Sequence, residues 1–225
     1  MAHAQKARKG KKSAKPTVAV LYFDYDGSSE EMGFLRKGLT QMLVSDLTDV
    51  ETVSIVERVR LEDALAELEL NRSKKIDQRS ANRVGKLLGA RYLVMGGYFD
   101  IAGTLRMDAR VVEVETGKVV SSMGKHSKVD EFISLEQHLA SELERLFRGE
   151  LVSQAAKRPR DTKRPRRVRP KPPKTLDAKD AAAYGKALDA IDRGDKDKAE
   201  TLLEDLVEKK PDFEIAVLDL ASLRK

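Results

Sequence analysis

Few residues of this 225-residue chain combine the types and spacings that chemistry needs. The three histidines, His3, His126 and His138, are scattered, and none sits in a metal-ligand motif, so each reads as a solvated or core-edge imidazole. Asp24 and Asp26 follow an apolar run, at the strand end where α/β folds often bind ligands. Two carboxylates on a loop suit a hard cation, but no third ligand accompanies them, and a solvated turn is the reading adopted. Gly85-Lys86 lacks the following Ser or Thr and the glycine-rich approach of a phosphate loop. Gly96-Gly97 joins strand to strand and offers a dinucleotide no helix N-terminus, so close backbone fit explains it. Glu57 and Arg58 suit a partner-facing pair, although a local ion pair or a helix-start carboxylate is the more ordinary explanation. The absence of cysteine excludes disulfides and thiolate metal sites. No catalytic, cofactor-binding or metal-binding residue is assigned, and no cofactor or small-molecule substrate is expected.

Charge is the sharper signal. Residues 1–16 hold six Lys or Arg and no acid, and residues 157–174 hold ten against the single Asp161. Together they take sixteen of the 43 bases and one of the 37 acids; the other 27 bases and 36 acids give −9, against +6 for the whole chain. The foldable parts are therefore acidic, and the high pI describes two attached basic segments. Lys157, Arg158, Arg160, Lys163, Arg164, Arg166, Arg167 and Arg169 are the candidate polyanion contacts, for phosphates or an anionic surface, at ~1 kcal/mol per base near an anionic bilayer. No aromatic residue is interleaved, which argues against sequence-specific recognition of single strands. A solubilising spacer between two acidic units explains the same run.

Positioning these groups requires a folded core. Val84, Leu87 and Leu88 have helical spacing that stops at Gly89, a residue suited to a left-handed C-cap. Tyr92 to Phe99 is an almost unbroken apolar run, which predicts a strand covered on both faces. Leu105, Met107, Ala109 and Val111 alternate with Arg106, Asp108 and Arg110, a strand with one buried face. Glu115 to Gly117 turns the chain back along Lys118 to Val129. Upstream, Thr17 to Phe23 reads as a central strand, Asp24 to Ser29 as a loop with Ser28 or Ser29 as cap, and Glu30 to Leu47 as one helix of about five turns. Val53 to Val56 is a short strand beside the first, and Leu61 to Leu68 a second helix. Phe132 to Phe147 has near-heptad spacing, but fewer than three heptads favours packing on the sheet over a coiled coil. The fold class is α/β: a mixed five-stranded sheet with covering helices in the order βαβααβββα, plus a small C-terminal α-helical segment.

The expected domains are a disordered basic N-terminus at 1–16, an α/β domain at 17–151, a basic proline-rich linker at 152–175 and helices at 176–225. In the last segment Ala187, Gly194, Asp195, Ala199, Leu203, Leu206 and Pro211 resemble a tetratricopeptide repeat, although Ala183 stands where its first helix usually has a large aromatic. Tyr184, Leu203, Phe213, Val217 and Leu220 are the candidate partner-groove residues. One and a half repeats fall short of the roughly three needed for stability, so the tail is expected to dock on the main domain, on itself or on a partner.

The main domain resembles the curli-production assembly/transport component family, the CsgG-like domain, with a similar look to the amino-terminal domain of TolB. The residues that carry this are VAVLYFD at Val18 to Asp24, Ile55 to Arg58 with Leu61 and Leu65, GKLLGARYLVMGGY at Gly85 to Tyr98, and LRMDARVVEVETGKVV at Leu105 to Val120. The resemblance implies an anticodon-binding-domain-like fold and a non-catalytic role in the bacterial envelope, periplasmic or outer-membrane-associated, with protein partners. Its pore-forming members assemble rings, but no residue here carries that over, and homo-oligomer formation stays an implication of the family alone. The turns at Asp100 to Thr104 and Glu115 to Gly117 are too short for membrane-spanning hairpins, whose strands need about 9–11 residues each. The expected function is thus a non-enzymatic envelope scaffold without its own pore, binding proteins through the α/β domain and tail. The alternative is a cytoplasmic nucleic-acid-associated protein using both basic segments on phosphates. Ala2-His3-Ala4 matches a signal-peptidase site with Gln5 as the mature start, a tripeptide that also arises by chance.

Overall fold

The computed structural model describes residues 15–70, 76–149 and 169–225. Residues 1–14 of the expected basic N-terminus, most of the linker and the candidate contacts Lys157, Arg158, Arg160, Lys163, Arg164, Arg166 and Arg167 lie outside the described residues.

In chain order the elements are β1 (Thr17–Val20), β2 (Asp24–Tyr25), α1 (Glu30–Gly33), α2 (Leu35–Leu47), β3 (Ser54–Ile55), α3 (Arg58–Glu67) and α4 (Gln78–Leu87). The meander β4 (Tyr92–Ile101), β5 (Thr104–Glu113) and β6 (Val119–Lys128) follows, then α5 (Phe132–Arg148), α6 (Ala178–Asp192), α7 (Lys196–Lys209) and α8 (Glu214–Leu223). The sheet runs β3-β1-β4-β5-β6, with β2 beside β4. β1 is parallel to β3 and β4, as helical crossovers dictate, and β4, β5 and β6 are antiparallel. Gly89 and Gly117 take the left-handed conformation expected of them, with φ of 62° and 70°.

Strand alternation sorts the apolar residues into two cores. Val18, Val20, Tyr92, Val94, Tyr98, Met107 and Val111 pack under α2 and α5, which contribute Leu35, Leu39, Leu43, Leu135, Leu139, Leu143 and Phe147. Ala19, Leu21, Leu93, Met95 and Val112 pack on the opposite side, under Leu61, Leu65, Ala81 and Val84 of α3 and α4. The near-heptad face of α5 therefore covers the sheet. Gly96 is a matter of fit: a Cβ there would overlap the Phe23 ring and the Asp108 carbonyl oxygen.

Three features differ from the sequence reading. The sheet has six strands, because the segment read as a loop pairs Asp24 and Tyr25 with Gly97 and Tyr98 of β4. Phe34 interrupts the helix expected over Glu30 to Leu47: it keeps helical dihedrals, but its N–H turns tightly to the Glu31 carbonyl, 3.1 Å away. Of the two candidate caps it is Ser29 that accepts from the Met32 N–H, at 3.2 Å. Finally, β4 is covered on both faces only over its first half; Gly97 and Phe99 are half-buried because α3 and α4 do not reach them.

The C-terminal helices do not stand apart. Leu176, Ala178, Ala181, Tyr184 and Leu188 belong to the same buried cluster as Leu35 and Leu39. The seam of α2 with α6 is made by small residues: a Cβ on Gly38 would overlap the Ala181 carbonyl oxygen, and one on Gly185 the Phe34 carbonyl oxygen. Each glycine weakens its helix by about 1 kcal/mol relative to Ala, and this close approach is what the cost secures.

Candidate functional site

The most elaborate polar assembly lies at the end of that seam. Lys37 on α2 donates from Nζ to Asp189 at 2.9 Å and Asp192 at 2.6 Å, both on α6, and lies 3.2 Å from Glu62 on α3. Arg58 at the start of α3 donates to both Asp192 oxygens, at 2.7 and 2.9 Å, to the Tyr22 hydroxyl at 3.2 Å and to Gln41 at 3.2 Å. Tyr22 donates to Glu62. Lys37, Arg58 and Glu62 are buried. Burial alone would raise the Asp192 carboxyl, but the bonds and charges of Arg58 and Lys37 outweigh it and hold the group below the usual carboxylate range. Burial opposes the charged form of Arg58 too, and Asp192 more than restores it. Burial pushes the Tyr22 hydroxyl well up, so it stays a neutral donor. Two cations and three carboxylates, paired across α2, α3 and α6, form a clasp.

A second buried acid pair holds the segment before α6. Arg169 pairs with Asp46 of α2 at 2.7 Å. Next to Asp46, Glu136 of α5 is buried, with Oε1 unbonded among the described residues. Burial and the Asp46 charge push the Glu136 carboxyl well up, with Arg169 opposing.

The third place is open. Beyond the reach of α3 and α4, the sheet face forms a hollow of about 690 Å³, lined by Asp24, Asp26, Gly97, Phe99, Arg106, Asp108, Arg110, Ser122 and Gly124 among others. Arg106 and Asp108 form an exposed two-bond pair at 2.8 and 2.7 Å, and the Asp108 carboxylate lies where a Gly124 Cβ would be. Asp24 and Asp26 line this hollow, and each has an interaction partner. No group of three metal-ligating side chains occurs among the described residues.

Against this geometry, residues 2–102 match the family model described as curli production assembly/transport component CsgG. That stretch of the chain is similar to the CsgG family. A protein named putative adenylate cyclase 3, from Rhizobium meliloti (strain 1021), is 30% identical over 104 residues, 46% of this chain. The chain spans only 16% of that curated relative. Among solved structures, the C-terminal domain of LpoB from Escherichia coli is similar at 17% identity, covering 54% of this chain and 87% of its own, with a TM-score of 0.42. Lipoprotein GNA1162 from Neisseria meningitidis is similar at 10% identity, covering 63% and 99%, with a TM-score of 0.43.

Around the matched stretch the sequence candidates fall unevenly. Arg169 is held by Asp46 within the fold, so it is not a free polyanion contact. Tyr184, Leu203, Phe213 and Leu220 are buried and Val217 is half-buried. Tyr184 donates to Asp219 at 2.6 Å and meets Phe213 edge-on at 5.1 Å between ring centroids. The expected groove is thus filled from within, because these side chains close the packing of α6, α7 and α8. Arg58, which the sequence suggests as a local or partner-facing cation, pairs with a carboxylate 134 residues away. Lys37, Glu62, Asp189 and Asp192 were missed; Gly38 and Gly185, costly inside helices, were the available signal of a tight helix contact. His126 and His138 are exposed and belong to no polar cluster.

Proposed function

We propose that this chain is a non-enzymatic protein of the bacterial cell envelope, periplasmic or outer-membrane-associated, whose CsgG-like domain scaffolds protein partners without forming a pore of its own. The match of residues 2–102 to a curli production assembly/transport component carries this reading, since that description is one of assembly and transport. Two structural features support it. The hairpin turns are short, with only Ala102 and Gly103 between β4 and β5 and five residues between β5 and β6. The buried clasp also fixes α6, α7 and α8, tetratricopeptide-like in register, against the domain, so the tail acts as a rigid flank and not as an open groove. The cyclase activity named for the curated relative is not carried over, because the shared stretch is 16% of that protein. Fractionation of the native host tests the proposal: the protein is expected with the periplasmic or outer-membrane material, and cytoplasmic residence would overturn it.

The ten bases within residues 157–174 favour a second reading, association with nucleic acid in the cytoplasm. Binding to duplex DNA or to RNA that weakens steeply with salt is its expected signature; no binding at low salt removes it.

A further inference from the structure

The sheet ends on β6. No described residue pairs with its outer side, so alternate residues of this ten-residue strand turn unpaired backbone donors and acceptors outward. Its chemistry is one-sided. From Lys118 to Lys128 the sequence KVVSSMGKHSK has three lysines, one histidine and no carboxylate. Lys118, Lys125, His126 and Lys128 are all exposed. Lys118 and Lys125 make no ion pair among the described residues, while Glu131 lies beside Lys128. On β5, Arg106 stands in register with His126 and Arg110 with Ser122, extending the cationic character inward, with Asp108 between them. At the other end the apolar side chains of Val119 and Val120 are 55% and 37% exposed.

Lysines on an edge are a common guard against self-pairing, and here a second β6 would bring two more lysines and no carboxylate to the new ribbon. The same charges favour a strand of opposite sign. We infer that the free edge of β6 is a docking site for an extended acidic segment of a protein partner, which joins the sheet as a further strand. Backbone bonds supply the attachment; carboxylates near Lys125 and Lys128, with apolar residues over Val119 and Val120, supply the selection. The inference rests on the protein-binding reading above for the class of partner, and not for the compartment.

The full chain is titrated with a peptide of Glu-Glu-Val-Val repeats about as long as β6, and backbone amide hydrogen exchange locates the binding. Slowed exchange concentrated in residues 119–128 is expected. The exposed double variant K125E/K128E should weaken this binding about tenfold or more, and should bind a Lys-Lys-Val-Val peptide that the unmodified chain ignores. Protection confined to residues 157–174, or insensitive to the charge reversal, overturns the inference. So does stronger protection of β6 by a thymidine oligonucleotide, or by raising the protein concentration without peptide. Cytoplasmic residence in the fractionation experiment would refute the envelope reading while leaving this result untouched.

Discussion

The α2–α6 seam and the β5–β6 surface use the same charged residue types to opposite ends. At the seam, Lys37 and Arg58 are buried with Asp192 and Glu62, every cation bonded to more than one acceptor. On the sheet, Arg106 and Asp108 pair with about half of each side chain exposed, and Lys125 has no partner among the described residues. A buried pair is costly to break because the survivor keeps its desolvation penalty; an exposed pair contributes ~0–1 kcal/mol. Charge at the seam therefore fixes how two parts of the chain sit together, and charge on the sheet remains available for association.

The sharpest way to break this contrast is Asp192→Ala, which takes from the buried Lys37 and Arg58 the carboxylate they share. A loss of about 3–5 kcal/mol is expected in urea unfolding. Gly185→Val attacks the same seam through shape: its side chain meets the Phe34 carbonyl, and a loss of about 1–3 kcal/mol with faster proteolysis inside α6 is expected.

Proton linkage gives a third test. The Glu136 carboxyl is raised in the fold, so its contribution to stability is full below its ordinary pKa, ~4.3, and is lost as pH rises through the folded value. Glu136→Gln should flatten that decline and leave the variant relatively more stable at the alkaline end. Asp192 runs the other way: its lowered carboxyl stabilises above ~3.9, and that contribution is lost as pH falls through the folded value. The smallest effect belongs to the open face, where Arg106→Ala should change stability by no more than about 0.5 kcal/mol.

The contrast also explains what could be read from sequence. Strand alternation at Leu105 to Val111, helical spacing at Leu35, Leu39 and Leu43, and the turns at Gly89 and Gly117 are local, and they predicted the corresponding elements. β2 was missed because two residues paired with a distant strand leave no periodic trace. The clasp was missed for the same reason on a larger scale: Lys37 and Asp189 are 152 residues apart, and each alone reads as an ordinary solvated charge. The tail aromatics misled in the opposite direction. Tyr184 and Phe213 have the types that bind partners, and only packing reveals that they bind each other.

Amide hydrogen exchange of the full chain tests most directly whether α6 and the sheet form one folded unit joined by the clasp. Exchange in the middle of α6 should be as slow as in the middle of α2 and in the first half of β4, and D192A should speed α6 first. Rapid, helix-peptide-like exchange across α6 while α2 and β4 stay protected would contradict it.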